Sequence, residues 1–170
     1  MMKKFNIYSL LTAVSILLVI SLGACKKDYK NGGTKVEKLA GEYWVQLDDG
    51  TGFSDGYYSF NLYNTAANND SLWVDDNESV LGLKGRVLSN PSALTFSITN
   101  TPCLYDDGIT TFTLTDGKVV PNGTTASGTG DKADAISFTL TYDTTDKGVV
   151  THNTVKAKGY RRTGFAQDDH

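Results

Sequence analysis

The chain has 170 residues and a formal net charge of −3, with hydrophobic residues at 39% and charged residues at 21%. That balance excludes a disordered chain and a polytopic membrane protein, and no segment of the folded part carries the basic patch that a nucleic-acid partner requires. Thr, Gly and Asn are abundant and aromatics reach 11%, the composition of a turn-rich all-β domain.

Met1 to Lys4 is a short basic head, and Ile7 to Leu22 is apolar apart from Tyr8, Ser9, Thr12, Ser15 and Ser21. The core of this run is shorter than the roughly 20 residues that span a bilayer. A basic head, an apolar core and small residues before a cut describe a secretory signal peptide over residues 1–24. Its removal leaves 170 − 24 = 146 residues and takes away Lys3 and Lys4, so 14 basic stand against 19 acidic groups, a net charge of −5. Residues 25–36 are polar, include Asn31-Gly32-Gly33, and read as a flexible tether. A short helical turn is expected near Thr34 to Leu39.

From Leu39 onward the hydrophobic period is two. Tyr43, Val45 and Leu47 alternate with Glu42, Trp44 and Gln46; Tyr58, Phe60 and Leu62 alternate with Ser59, Asn61 and Tyr63. Leu72 and Val74 flank Trp73, and Leu81, Leu83 and Val87 share a parity. Leu94, Phe96 and Ile98 form the next run, then Phe112 and Leu114, then Ile136, Phe138, Leu140 and Tyr142. Val149 to Arg162 is a less regular last strand. Turn signals stand at Asp49-Gly50, Asn68-Asn69-Asp70, Asp75-Asp76-Asn77, Asn90-Pro91, Asp107-Gly108, Asp116-Gly117, Asn122-Gly123 and Lys147-Gly148. Eight sequential strands, each apolar on one side, predict an antiparallel up-and-down barrel over 37–166, with a two-sheet β-sandwich as the alternative. Residues 167–170 are expected to be a disordered tail.

At eight strands the barrel interior is either filled by side chains or holds one small ligand. Tyr58, Phe60, Phe96, Phe112, Phe138 and Tyr142 share the inward parity and are the candidates to line such a cavity. Trp44, Tyr57, Tyr63 and Trp73 have the opposite parity and offer a surface for a protein or a glycan.

Reaction chemistry is sparse. His152 falls on the outward parity of the last strand and His170 ends the chain; no Gly-x-Ser-x-Gly elbow is present. Asp48-Asp49, Asp75-Asp76 and Asp106-Asp107 read first as turn formers, although pairs from different loops could converge at one mouth as a hydrolytic dyad. An EF-hand counted from Asp48 fails at Phe53 and Ser59. Zinc needs more His or Cys than the chain has, and no phosphate loop is present, so neither metal nor cofactor is expected.

Leu22-Gly23-Ala24-Cys25 resembles a bacterial lipobox, which implies acylation of Cys25 and anchoring in the outer membrane through it. Lys26 follows, so the inner-membrane retention signal of an Asp at that position is absent. With Cys25 acylated, Cys103 has no partner and is expected to be a buried, inert thiol. Lys38-Leu39-Ala40-Gly41-Glu42-Tyr43-Trp44-Val45 resembles the Gly-x-Trp opening of lipocalin-like barrels, with Tyr43 where Trp is expected. Such barrels set an Arg of the last strand over the first-strand aromatic. Arg161 shares parity with Val155, Ala157 and Gly159, which makes it a better candidate than Arg162 to close the barrel over Tyr43. The lipobox, the tether, the first strand and the Gly159-Tyr160-Arg161-Arg162-Thr163-Gly164 ending together resemble the bacterial lipoprotein family named "lipid-binding putative hydrolase", whose members are calycin-like barrels. The resemblance implies a monomeric, membrane-anchored barrel that binds a small hydrophobic ligand. A surface glycan- or protein-binding module and a hydrolase with convergent carboxylates stay open beside it.

Overall fold

The computed structural model describes residues 33–105 and 108–170. Cys25, the signal peptide and the Asp106-Asp107 pair lie outside them.

The alternating segments form β1 (Gly41–Asp48), β2 (Tyr58–Asn64), β3 (Ser71–Asp75), β4 (Lys84–Asn90), β5 (Thr95–Pro102), β6 (Ile109–Thr125), β7 (Lys132–Asp146) and β8 (Val149–Arg161). They pair antiparallel in chain order, and β8 returns to β1 through Tyr43↔Arg161 to Asp48↔Lys156. The sheet is therefore a closed eight-stranded up-and-down barrel, and the sandwich is excluded. The inward set is buried as one core that includes Tyr43, Val45, Phe60, Leu62, Leu72, Val74, Val87, Phe96, Phe112, Leu114, Ile136, Phe138 and Leu140. β8 loses the apolar rhythm because its inner positions are small. A Cβ added at Gly159 would lie 1.9 Å from the Trp44 carbonyl oxygen, so only Gly fits where β1 passes.

Antiparallel order sends alternate loops to opposite ends. The entry end holds the incoming chain and the β2–β3, β4–β5 and β6–β7 connections; the far end holds the other four. At the entry end Thr34–Ala40 forms the expected tight turn, with Leu39 N and Ala40 N donating to Val36 O at 2.8 and 2.9 Å. Val36 and Leu39 are buried in the core. The compact unit accordingly starts at Gly33, and Val36, assigned to the tether from sequence, belongs to the barrel because its side chain covers the entry end.

Two of the turn signals do not separate strands. Asp116-Gly117 and Asn122-Gly123 sit inside the 17-residue β6, where the register against β7 shifts between Thr115 and Lys118 and between Val120 and Thr124. Asp116 and Asn122 have φ of 55° and 50°. A left-handed residue serves a bulge as well as a hairpin, which is why the pattern misleads. The actual β6–β7 turn is closed by Ala126 N donating to Asp131 O at 2.9 Å.

The last four residues are ordered rather than a loose tail. Ala166–Asp168 is a 3₁₀ turn. The Asp168 carboxylate is fully buried and accepts from Gly128 N, Thr129 N, Thr129 Oγ1 and Thr163 Oγ1 at 2.7–2.9 Å. A side chain with four donors converging on it fixes the chain that carries it.

Candidate functional site

At the entry end β8 carries Arg161 to β1. Its guanidinium centre stands 5.4 Å from the Tyr43 ring centroid. Nη1 donates to Ala40 O at 3.0 Å, and Nη2 donates to Lys38 O at 2.7 Å and to the Tyr43 hydroxyl at 3.0 Å. Nε lies 3.2 Å from Asp134 Oδ2, at an angle too poor for a hydrogen bond. Tyr43 in turn donates to Leu39 O at 2.7 Å. Burial pushes the Tyr43 phenol up to about 12, with Arg161 pulling the other way. Arg162 points outward and pairs with Glu42 and Asp169.

Of the six inward aromatics, Phe60, Phe96, Phe112 and Phe138 are buried. Phe138 stacks on Phe60 at 4.5 Å and tilts against Phe96 at 6.2 Å. Among the described residues, the clefts of about 370 to 490 Å³ at the barrel surface are lined by residues other than these phenylalanines. Phe60, Phe96 and Phe138 thus pack on one another. Tyr58 and Tyr142, at the far end, are only partly buried, and burial raises the Tyr142 pKa. Leu47, Leu81 and Cys103 are partly covered beside the core at the same end. Cys103 is half-buried, with Sγ 3.4 Å from Gly82 O. The connections of this end and the start of β8 carry Phe53, Val80, Leu104, Val149 and Val150, five of the eight large hydrophobic residues exposed among the described residues.

The outward aromatics divide into two groups. Trp44 and Tyr57 gather with Tyr160, and Tyr57 stacks on His170 at 4.2 Å. Tyr63 belongs to a polar cluster that periodicity does not show, because its members come from β2, β3, β4 and the β5–β6 loop. Asp75 accepts from the Tyr63 and Tyr105 hydroxyls, each at 2.8 Å, and from Lys84 Nζ at 2.7 Å. Burial pushes the Asp75 carboxyl up, but the hydrogen bonds from Lys84, Asn77 and the two tyrosines outweigh it and hold its pKa below the ordinary value. The same contact raises the pKa of Lys84 and favours its ammonium form. Trp73 neighbours Arg86 across β3 and β4.

The Asp48 and Asp76 carboxylates serve their own loops. Asp48 Oδ1 accepts from Gly50 N and Gly52 N. Asp76 is buried and accepts from Glu78 N, Leu81 N and Leu83 N. His152 is exposed on the outer face of β8 beside Asp143. Ser127 Oγ, the Tyr160 hydroxyl and His170 Nε2 stand 2.8 Å from one another. A serine beside an imidazole is the beginning of a nucleophilic dyad. The adjacent N–H groups of Gly128 and Thr129, however, donate to Asp168 Oδ1 at 2.9 and 2.7 Å, so they are not free to hold an oxyanion. The triangle fastens the end of the chain to the barrel.

Residues 28–166 match the model of the family described as "Lipid-binding putative hydrolase". The chain belongs to that family. A comparison with curated proteins finds no match. Family and closed barrel together support a lipid-binding barrel. For the hydrolase half of the family's description, the Ser127–His170 pair stands beside N–H groups of Gly128 and Thr129 that are already committed to Asp168.

Proposed function

We propose that this member of the lipid-binding family is a lipoprotein acylated on Cys25 and held in the outer membrane, and that its barrel takes the apolar chain of a lipid at the far end. The observation that carries the second part is the clustering of Phe53, Val80, Leu104, Val149 and Val150 around a mouth where Tyr58 and Tyr142 are incompletely covered. Exposed apolar groups gathered at one end of a molecule mark a binding surface, whereas scattered ones do not. The core phenylalanines fill the middle of the barrel below this mouth.

The anchor rests on Leu22-Gly23-Ala24-Cys25 at the end of a short apolar run. Several acyl chains on one residue give stable anchoring, since each buried CH₂ contributes roughly 0.8 kcal/mol. Cys25→Ser is expected to leave the protein unlipidated and unprocessed, because thiol acylation precedes this class of cleavage. Metabolic labelling with a clickable palmitate reads it out, and a mutant labelled as strongly as the wild type overturns the anchor.

The mouth is tested by titrating a fluorescent fatty acid into the chain purified from Lys26 onward. Saturable binding is expected. Leu104→Asp and Val149→Asp should each weaken it at least fivefold, and Leu88→Asp, on the outer wall near the entry end, should not. Equal effects of all three, or no saturable binding, would refute the far-end site.

A further inference from the structure

The outside of the barrel carries a second concavity, separate from the mouth. Between Val120↔Ala135 and Thr124↔Ala133 the β6 chain leaves the ladder. The displaced segment walls one side of a cleft of about 410 Å³. Its floor is cut low by the small outward residues Ala135 and Ser137, the Gly159 backbone lies beside them, and Tyr57 and Tyr160 stand on the β1–β8 side. Tyr57 is fixed in advance, stacked on His170 at an interplanar angle of 19° and edge-on to Tyr160 at 5.4 Å. A preordered aromatic wall costs a ligand little conformational entropy on binding.

The polar groups of the cleft point to the ligand class. Among the described residues, the Tyr57 hydroxyl, Ser137 Oγ and Thr125 Oγ1 make no hydrogen bond, and Lys158 makes no ion pair. Lys158 is the one charged residue of the lining, and its ammonium is steadied 3.8 Å over the Phe53 ring. Hydroxyl-rich walls do not suit an acyl chain. A lone cation without clustered backbone N–H groups does not suit an isolated phosphate. An aromatic face, several uncommitted hydroxyls and one cation match a pyranose ring that bears a carboxylate.

We propose that this cleft binds an acidic saccharide unit, with the sugar ring against Tyr57 and its carboxylate on Lys158. The site shares Phe53 with the rim of the lipid mouth, but neither reading requires the other.

The test is isothermal titration of the full chain in a sugar-free detergent with trigalacturonate, and with maltotriose as the neutral comparison. Trigalacturonate is expected to bind saturably, and maltotriose at least tenfold more weakly. Lys158→Gln should weaken trigalacturonate about tenfold and leave the weak maltotriose signal unchanged. Ala135→Phe, which fills the floor from the outer face, should abolish binding of both sugars. Because Lys158 is exposed, its variant folds whether or not Ala135→Phe does, and a thermal melt checks each. Absence of saturable trigalacturonate binding overturns the proposal. So does binding that survives both substitutions, or maltotriose bound as tightly as trigalacturonate.

Discussion

Arg161 and Arg162 are neighbours with the same charge and opposite surroundings. Arg161 is half-buried and serves two backbone carbonyls, the Tyr43 hydroxyl and the Tyr43 ring. Removing it leaves the Lys38 and Ala40 carbonyls without that donor where the entry turn meets β1, and charge-assisted hydrogen bonds contribute about 1.5–3 kcal/mol each in such settings. Arg161→Ala is expected to cost about 2–4 kcal/mol in a urea melt. Arg162→Ala breaks only exposed ion pairs, which screening by water keeps weak, and should cost far less; equal midpoints would show that Arg161 does not close the barrel. Acid reads out two other residues. Asp75 and Asp168 both titrate below the ordinary carboxyl in the folded state, because hydrogen bonds outweigh the opposing effect of burial. The unfolded chain therefore takes up these protons first. The stability they contribute is complete above the ordinary aspartate value of about 3.9 and is lost as pH falls through their lower folded values. A thermal midpoint that drops below about pH 4, with a smaller drop in Asp168→Asn, is the expected result; an unchanged drop in that variant would remove Asp168 from the explanation.

At the scale of elements, each strand is legible because one face is buried and the other wet, and period two survives wherever the inner residue is apolar. β1, β2, β5 and β7 show it plainly. β8 hides it, because close passage of β1 demands Gly159 and the next inner residue, Ala157, is small. β6 hides its length, because Asp116-Gly117 and Asn122-Gly123 supply the left-handed backbone of a hairpin and spend it on bulges. Only the cross-strand register tells the two uses apart, and one strand's sequence does not contain its neighbour's register. The Asp75 cluster was illegible for the same reason: four elements donate to it, and no local spacing links Tyr63, Lys84 and Tyr105. The tail looks loose because four polar residues have no periodicity, and three of the four donors that trap Asp168 lie 39 to 40 residues upstream. Gly159 makes the close passage measurable. Gly159→Val drives a Cβ into the Trp44 carbonyl and should destabilise by about 1–3 kcal/mol or more, as overpacking does. A urea midpoint equal to that of the wild type would mean that β1 has room to retreat.

For the whole molecule, eight strands leave an interior at the boundary between a packed core and a ligand cavity, and the side chains decide between them. Here Phe60, Phe96 and Phe138 meet ring to ring, and the incompletely covered aromatics are Tyr58 and Tyr142 at the far end. On the proposed function, stability and binding are divided along the barrel axis: the middle holds the fold, and the mouth has apolar surface to offer. Two truncations separate these roles. Phe138→Ala removes a buried ring that neighbours contact on both sides, and a large-to-small change of this kind costs about 3–5 kcal/mol. Tyr142→Ala removes a ring that is already partly solvated, so its cost should be well under half of that. Fluorescent fatty-acid affinity should run in the opposite order, with Tyr142→Ala the weaker binder and Phe138→Ala retaining near wild-type affinity while folded. The measurement pairs a urea melt with a probe titration on each variant. If Phe138→Ala instead lowers affinity sharply with little loss of stability, the lipid chain reaches the middle of the barrel and the rings part to admit it.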